Sequence, residues 1–597
     1  MLAIVVASPL FGAGICAAAD SKSGEAQTNA AANRLQADSL GGEKAVHLFG
    51  SLQSDMLFPT GKQADGSHED WRTNTYLNLQ MQSRYVDMGA RLEYLEHPLP
   101  GFEKDFKGWG VPNVYMNLKL KGVELTAGTF YEQFGSGFIL RTYEERSLGI
   151  DNSLMGGRVA VDAVKGLRLK VLGGKQRRYW GHNNAFVSGA DAEWSLMEMF
   201  SHRDKGYNQN NGVGDRRKGG ARSVPAAVTV GFSWVNKYER TGKDRIMVDA
   251  THRLRLPASV NAWDARLNYQ QGPLSVLAEY AGKTQDPSFD NGYIYRRGSV
   301  AMLSGSYSQR GASVLMQVKR SDNFSFRSRR NMSGTSSMLN HLPAFAQDHT
   351  YALAAEYPYA TNPLGEWAYQ SQVGYTFRRH TPLGGKYGTS VRFNFSHIHS
   401  IDRNPHALTV GQSNGASPAA EQTYYGAGSK GYGSAFWKWG NQTYYQDFNI
   451  QMDKRLNSRW KLTLMYMNQL YNQSAIEGKG ETIHANIFVA EGLWKISRKV
   501  KLRAEAQYLI TKQDEGDWAF ALAELSLAPH WMFSVSDEYN CGQSHSHYWQ
   551  SAVTYNINAH RLQIGWGRVK EGYNCSGGVC RYVPESKGFT LSYNYNF

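Results

Sequence analysis

An all-β fold, one large closed antiparallel barrel crossing a membrane, is what this sequence predicts, and three observations predict it. Apolar and polar residues alternate with a period of two through most of the chain, the pattern of strands with one apolar and one wet face. No internal run approaches the roughly 18 uninterrupted apolar residues that a membrane helix needs, which excludes a helical membrane protein. The chain has 597 residues, more than one soluble core usually holds, yet only 41% are hydrophobic while 13% are aromatic, with 35 Tyr and 61 Gly. A barrel built from strands of about ten alternating residues reconciles great length with a polar composition.

Taken in order, the chain opens on an apolar run, Leu2 to Ile15, followed by Ala17-Ala18-Ala19 before Asp20. This reads as a signal peptide over 1–19, cut between Ala19 and Asp20. No Lys or Arg precedes Lys22, as a start codon set too late would leave it. Ala13-Gly14-Ile15 ahead of Cys16 lacks the pattern of a lipidation site. Residues 20–44 are small and polar and read as a disordered periplasmic lead, with the barrel over 45–597.

The last strand is the clearest. Phe589, Leu591, Tyr593, Tyr595 and Phe597 share one face, and Thr590, Ser592, Asn594 and Asn596 the other. In 73–83, Leu77, Leu79 and Met81 oppose Asn78, Gln80 and Gln82. In 366–378, Trp367, Tyr369, Val373, Tyr375 and Phe377 oppose Gln370, Gln372, Thr376 and Arg378. In 500–511, Val500, Leu502, Ala504 and Ala506 oppose Lys501, Arg503, Glu505 and Gln507. Charges that regularly face away from the apolar side fit a wet lumen. Short turns such as Lys121-Gly122, Lys165-Gly166, Arg310-Gly311 and Ala559-His560 belong on the periplasmic side. Alternation marks about 25 strands; the even-number rule raises this to 26 within a range of 22–26, with one strand hidden in 398–440. About 25 residues precede the first strand once the signal peptide is cut, too few for a folded plug, so none is expected.

The connection 131–157 is long and aromatic and carries Glu132, Arg141, Glu144, Glu145 and Arg146. Phe134, Phe138, Ile139 and Leu140 would be costly exposed, so it is expected to fold into the lumen as a charged constriction; the plain alternative is a surface loop laced with salt bridges. At the end of another strand, Lys175, Arg177 and Arg178 could hold lipopolysaccharide phosphate, with Tyr179 and Trp180 in an interfacial girdle, or simply meet water. His397-x-His399 and His545-x-His547 have a spacing that can bind metal but no third ligand nearby. The run 426–431 fails as a phosphate loop and 134–138 as a nucleophile elbow. No catalytic residues, metal or cofactor are therefore expected. The formal charge of +14 is spread along the strands, which disfavours nucleic acid as a partner.

Three long segments, GTFYEQFGSGFILRTYEERSLGID (128–151), GGKQRRYW (173–180) and NCSGGVCRYVP (574–584), together with TKQDEGDW (511–518), resemble a family of Gram-negative outer-membrane β-barrels that carries a domain-of-unknown-function label. The resemblance runs through nearly the whole mature chain. It implies a barrel in the outer membrane and carries over no functional residues. The function expected first is a porin-like channel for small polar or anionic solutes, surrounded by outer-membrane lipid including lipopolysaccharide. A structural subunit of an outer-membrane secretion or protein-assembly complex is the alternative, and a barrel hydrolase with Ser, His and Asp on separate strands comes third. In an oxidising compartment Cys575 and Cys580, five residues apart around Gly577-Gly578, are expected to pair and leave Cys541 over. Mass spectrometry of unreduced peptides should find residues 575 and 580 in one disulfide; free thiols at both positions would refute the pairing.

Overall fold

Alternation along each strand translates directly into two faces. In Val500–Ile510, Glu505, Gln507 and Leu509 point inward and are buried, while Ala504, Ala506, Tyr508 and Ile510 point outward and are exposed. The computed structural model describes residues 46–61, 66, 70–197, 226–241, 246–247, 253–405 and 427–597; the segments 1–19 and 20–44 lie outside them. Twenty-four long strands form one antiparallel barrel, to which the two-residue strip Gly181–His182 adds a short edge. Each strand pairs with the next in the chain. The first, His47–Pro59, closes the sheet on the last, Ser586–Asn596, in a register running from Ser51 opposite Asn596 to Pro59 opposite Gly588.

The count is 24, even and within the expected range of 22–26 but short of the favoured 26. Thr389–Ile401 pairs directly and antiparallel with Trp439–Arg455, so no barrel strand stands between them. Within that connection only Asn404–Pro405 and Tyr432–Gly433 form a short bridge among the described residues. Alternation marks any strand, whether or not it joins the barrel. The hairpin Gly572–Ser576 with Val579–Val583 alternates as well as its neighbours and forms a separate two-stranded sheet. The disulfide joins Cys575 to Cys580 across this hairpin, and Cys541 is free.

The two ends of the barrel differ. At one end the connections include tight turns such as 121–122, 165–166 and 310–311, where Gly122, Gly166 and Gly311 take positive φ (75°, 81° and 88°) that a Cβ would oppose. At the other end are the long connections, of which 131–153, 323–364 and 570–585 matter most. Burial follows this polarity. On Ser259–Gln271, Val260, Ala262 and Asp264, near the long-loop end, are buried, whereas Asn268 and Gln270, near the turns, are exposed on the same inward face. The half of the lumen near the long connections is packed; the half near the tight turns is open.

Closure of the seam can be tested on its outward face. In a Cys541→Ser background, the pair Leu52→Cys and Tyr595→Cys, directly opposite in the register, should cross-link under mild oxidation; an open sheet or a shifted register would give no cross-link.

Candidate functional site

The packed half of the lumen is built from loops. Leaving Val123–Phe130, the chain turns inward at Gly135 and Gly137, both with positive φ (53° and 94°). A Cβ on Gly135 would stand 2.6 Å from Glu279 Oε1, so the glycine also permits close approach to the wall. The turn closes on itself, with Phe134 N–H donating to Leu140 O (3.0 Å) and Gly137 N–H to Phe134 O (2.9 Å). Phe134, Phe138, Ile139 and Leu140 are fully buried. Ser136 donates from its backbone N–H (3.0 Å) and its hydroxyl (2.5 Å) to Glu279, an inward residue of Leu274–Lys283.

A second and longer strap, 323–364, crosses the lumen beside the first. Arg141 N–H donates to Leu339 O (2.7 Å) and His341 N–H to Gly137 O (3.0 Å), so the two loops share backbone hydrogen bonds. Phe324, Phe326, Leu339, Phe345 and Leu353 extend the apolar core across to the wall formed by Ile487, Leu509 and Trp518. The strap's short helical turn, Leu353–Ala355, is held there by Leu353 N–H donating to Gln507 Oε1 (2.9 Å). His349 Nε2 meets Asp447 at 2.7 Å, and Gln469 Nε2 donates to Tyr357 O at 2.9 Å. Beneath the strap, Lys319 and Glu366, both fully buried, pair at 2.9 Å, with Lys319 Nζ also 5.3 Å from the Phe345 ring.

A buried cluster of charge fixes the far end of the first loop. Arg91 reaches Glu93 (2.7 Å), Glu144 (2.6 Å) and Asp151; Arg177 reaches Glu93 (2.6 Å) and Asp151 (2.5 Å). Burial alone would raise the Asp151 carboxyl, but Arg177 and Arg91 beside it override burial and hold it at about 2. The loop therefore stays tied to the strands Val86–Leu95 and Leu167–Arg178.

Three of the charged loop residues named from the sequence, Glu132, Glu144 and Arg146, are spent on such pairing. Glu132 is buried against Arg158 Nε (2.9 Å) and Lys170 Nζ (3.0 Å). Glu144 bridges Arg91 and Arg146, and Glu145 accepts from Ser147 N–H (3.2 Å) to cap the turn Arg146–Leu148. Arg141 lies over the Tyr143 ring (4.9 Å), and Arg146 over the Tyr76 ring (4.4 Å) while donating to Gln53 Oε1 (2.7 Å). Among the three basic residues placed at the rim, Lys175 is exposed and Arg178 lies over the Tyr179 ring (5.3 Å). Arg177 does not join them; it is buried in the charge cluster. Wall charges also pair locally: Arg266 with Asp191 (2.7 Å) and Asp264 (3.1 Å), and Arg503 with Glu491 (3.1 Å). His397 and His399 face outward against the Trp439 ring, and among the described residues no group of three or more metal-ligating side chains gathers.

What sequence reasoning missed is the strap 323–364. Its signal was present: a connection of this length carrying Phe324, Phe326, Leu342 and Phe345 has too much apolar surface to lie in water.

Between strap segment 346–359 and the wall around the seam a cavity of about 280 Å³ remains. Its lining mixes aromatic rings (Tyr76, Phe102, Tyr357) with charges of both signs: the cations Arg146, Lys570 and Arg581, and the carboxylates of Asp55, Asp348, Glu356, Glu538 and Glu571. This is the candidate site: a lateral pocket in the half of the lumen that the protein's own loops otherwise occupy.

Fold and site together define a large outer-membrane-type β-barrel with an internally filled lumen. The chain belongs to the Family of unknown function (DUF6029), whose model matches residues 27–597. No curated protein matches it. Among solved structures it is similar to the siderophore receptor PirA from Pseudomonas aeruginosa, at 10% identity and a TM-score of 0.38, with 92% of this chain and 80% of that one covered. It is also similar to the ferric enterobactin receptor PfeA from the same organism (9% identity, TM-score 0.42, 93% and 82% covered). The P pilus usher PapC translocation pore aligns at 10% identity and a TM-score of 0.40, over 93% of this chain and 99% of that one.

Removing one cation from the buried cluster leaves carboxylates unpaired, a change that costs about 3–5 kcal/mol. Arg177→Ala should therefore free the loop 131–153 from its wall while the barrel remains. Limited proteolysis of intact protein in liposomes should show new cleavage between 141 and 152; a digestion pattern like the wild type would refute the anchoring role.

Proposed function

We propose that the protein is an outer-membrane channel for small polar solutes whose own loops narrow the lumen to a lateral passage along the seam wall. The observation that carries this reading is the division of the lumen: an open, polar half at the tight-turn end, a packed half at the long-loop end, and a cavity beside the strap lined by aromatic rings and by charges of both signs. Membrane placement is supported by the outward face. Gly365–Phe377 turns Trp367 and Tyr369 outward at one end, Val373 in the middle, and Tyr375 and Phe377 at the other, as strands with an interfacial belt at each side of a bilayer do. Narrowing then comes from loop bulk, because Glu132, Glu144, Arg146 and Asp151 are already paired with one another or with the wall and Arg141 lies over the Tyr143 ring.

Selectivity in such a channel depends on pore width and on the few polar groups left facing the solute. The strap segment forms one whole side of the cavity. Replacing residues 344–357 with a short Gly-Ser linker should raise single-channel conductance in planar bilayers and weaken ion selectivity. A wild-type protein that never conducts, or a deletion that leaves conductance unchanged, would overturn the channel reading in favour of a structural role in an outer-membrane assembly.

A further inference from the structure

Of the three cations lining the cavity, two are neutralised. Arg146 pairs with Glu144 at 2.6 Å, and Lys570 pairs with Glu356 and, at 3.5 Å, with Glu538. Arg581 is different. It sits in the hairpin strand Val579–Val583, one residue beyond Cys580, so the Cys575–Cys580 disulfide holds the segment that carries it to the cavity. Its guanidinium lies over the Phe102 ring at 4.3 Å. On another side it meets Gly149, where a Cβ would stand 2.4 Å from Nη1.

The carboxylates of the lining are engaged elsewhere: Glu356 and Glu538 with Lys570, Glu571 with the Tyr582 hydroxyl, Asp55 with the Ser592 hydroxyl, and Asp348 with Gly577 N–H. The Arg581 Nε is buried without a hydrogen-bond partner. The acid nearest in electrostatic terms, Glu103, is engaged elsewhere, accepting from Ser336 Oγ (3.0 Å) and from the Tyr179 hydroxyl. Burial accordingly pushes the guanidinium down to about 10, with Tyr76 and Glu103 offsetting only part of that. A wedge between Phe102 and Gly149 needs only a flat side chain; it does not need a positive charge. A largely desolvated, unpaired cation is costly unless an anion completes it, and the guanidinium fork matches the two oxygens of a carboxylate or phosphate.

We propose that Arg581 is the anion-recognising residue of this cavity, and that its ligand is a small organic solute, about the size of a monosaccharide, carrying one terminal phosphate or carboxylate. The volume of about 280 Å³ sets the size, at the lower end of ligand pockets, which run from roughly 300 Å³ upward. Tyr76, Phe102 and Tyr357 offer ring faces and hydroxyls to a hydroxylated body, while Arg581 takes the anionic end. This assignment rests on the passage proposed above for its route of entry, but binding itself can be measured without conduction.

Full-length protein in detergent is titrated calorimetrically with glucose 6-phosphate, gluconate and glucose. Both anions, or the one whose oxyanion fits, should bind at least tenfold more tightly than glucose, and more weakly as salt rises. Arg581→Gln should lower anion affinity at least tenfold, about 1.4 kcal/mol, with the disulfide intact; Arg581→Lys should restore part of it. Should Arg581→Gln not fold, phenylglyoxal labelling of the wild-type Arg581 replaces it, and the bound anion should slow labelling where glucose does not. Glucose binding as tightly as both anions, unchanged anion affinity in a folded Arg581→Gln protein, or labelling that no anion slows would each overturn the proposal. Anion binding by a barrel that never conducts would sink the channel and leave this site. A conducting barrel indifferent to anions would sink this site and leave the channel.

Discussion

Everything in this molecule follows from the need to pair every backbone N–H and C=O of a sheet whose outer face is apolar. In hydrocarbon an unpaired strand edge costs several kcal/mol for each exposed group, so the sheet must close. The pairing of His47–Pro59 with Ser586–Asn596 achieves this, residue against residue, across the whole seam. With 24 strands the closed cylinder is wide, and width grows with strand number. A lumen of that size cannot be filled by wall side chains, and the chain fills the half near its long connections with two loops.

The loops are held by a hierarchy of contacts. Apolar side chains of both loops merge with inward residues of the wall into one core, from Phe134 and Phe138 to Leu509 and Trp518. Around that core sit buried ion pairs: Lys319 with Glu366, Lys237 with Asp286, and the Arg91–Arg177 cluster. Such pairs add little net stability compared with apolar replacements, but breaking one leaves an isolated buried charge. Their effect is positional. They specify where each loop meets the wall, and so where the remaining cavity lies.

The same logic separates the two kinds of charged residue in the lumen. Near the tight turns, inward side chains such as Lys501 and Asn268 meet open space. Near the long loops many cations have found a carboxylate, whereas Arg141, Arg403 and Arg581 lie over aromatic rings, and of these three Arg581 lines the cavity, carried there by a disulfide hairpin.

The sequence by itself determined the local geometry. Period-two alternation in 366–378 and 500–511 named which residues face in and which face out, because the faces of a strand are set by chain position alone. The apolar content of 131–157 pointed inward for an equally local reason: exposing it would be costly. Strand number was not local. Alternation in 572–583 looks like that of any barrel strand, and only pairing shows that it forms a separate hairpin. The partners of Glu144, Arg177 and Arg581 were beyond the sequence as well. They come from other strands and loops: Arg91 meets Glu144 across 53 residues, Arg177 meets Glu93 across 84, and Arg581 lies over Phe102 from the opposite end of the chain. Which charge is neutralised and which is left facing a cavity depends on closure of the whole sheet, and that only the tertiary structure decided.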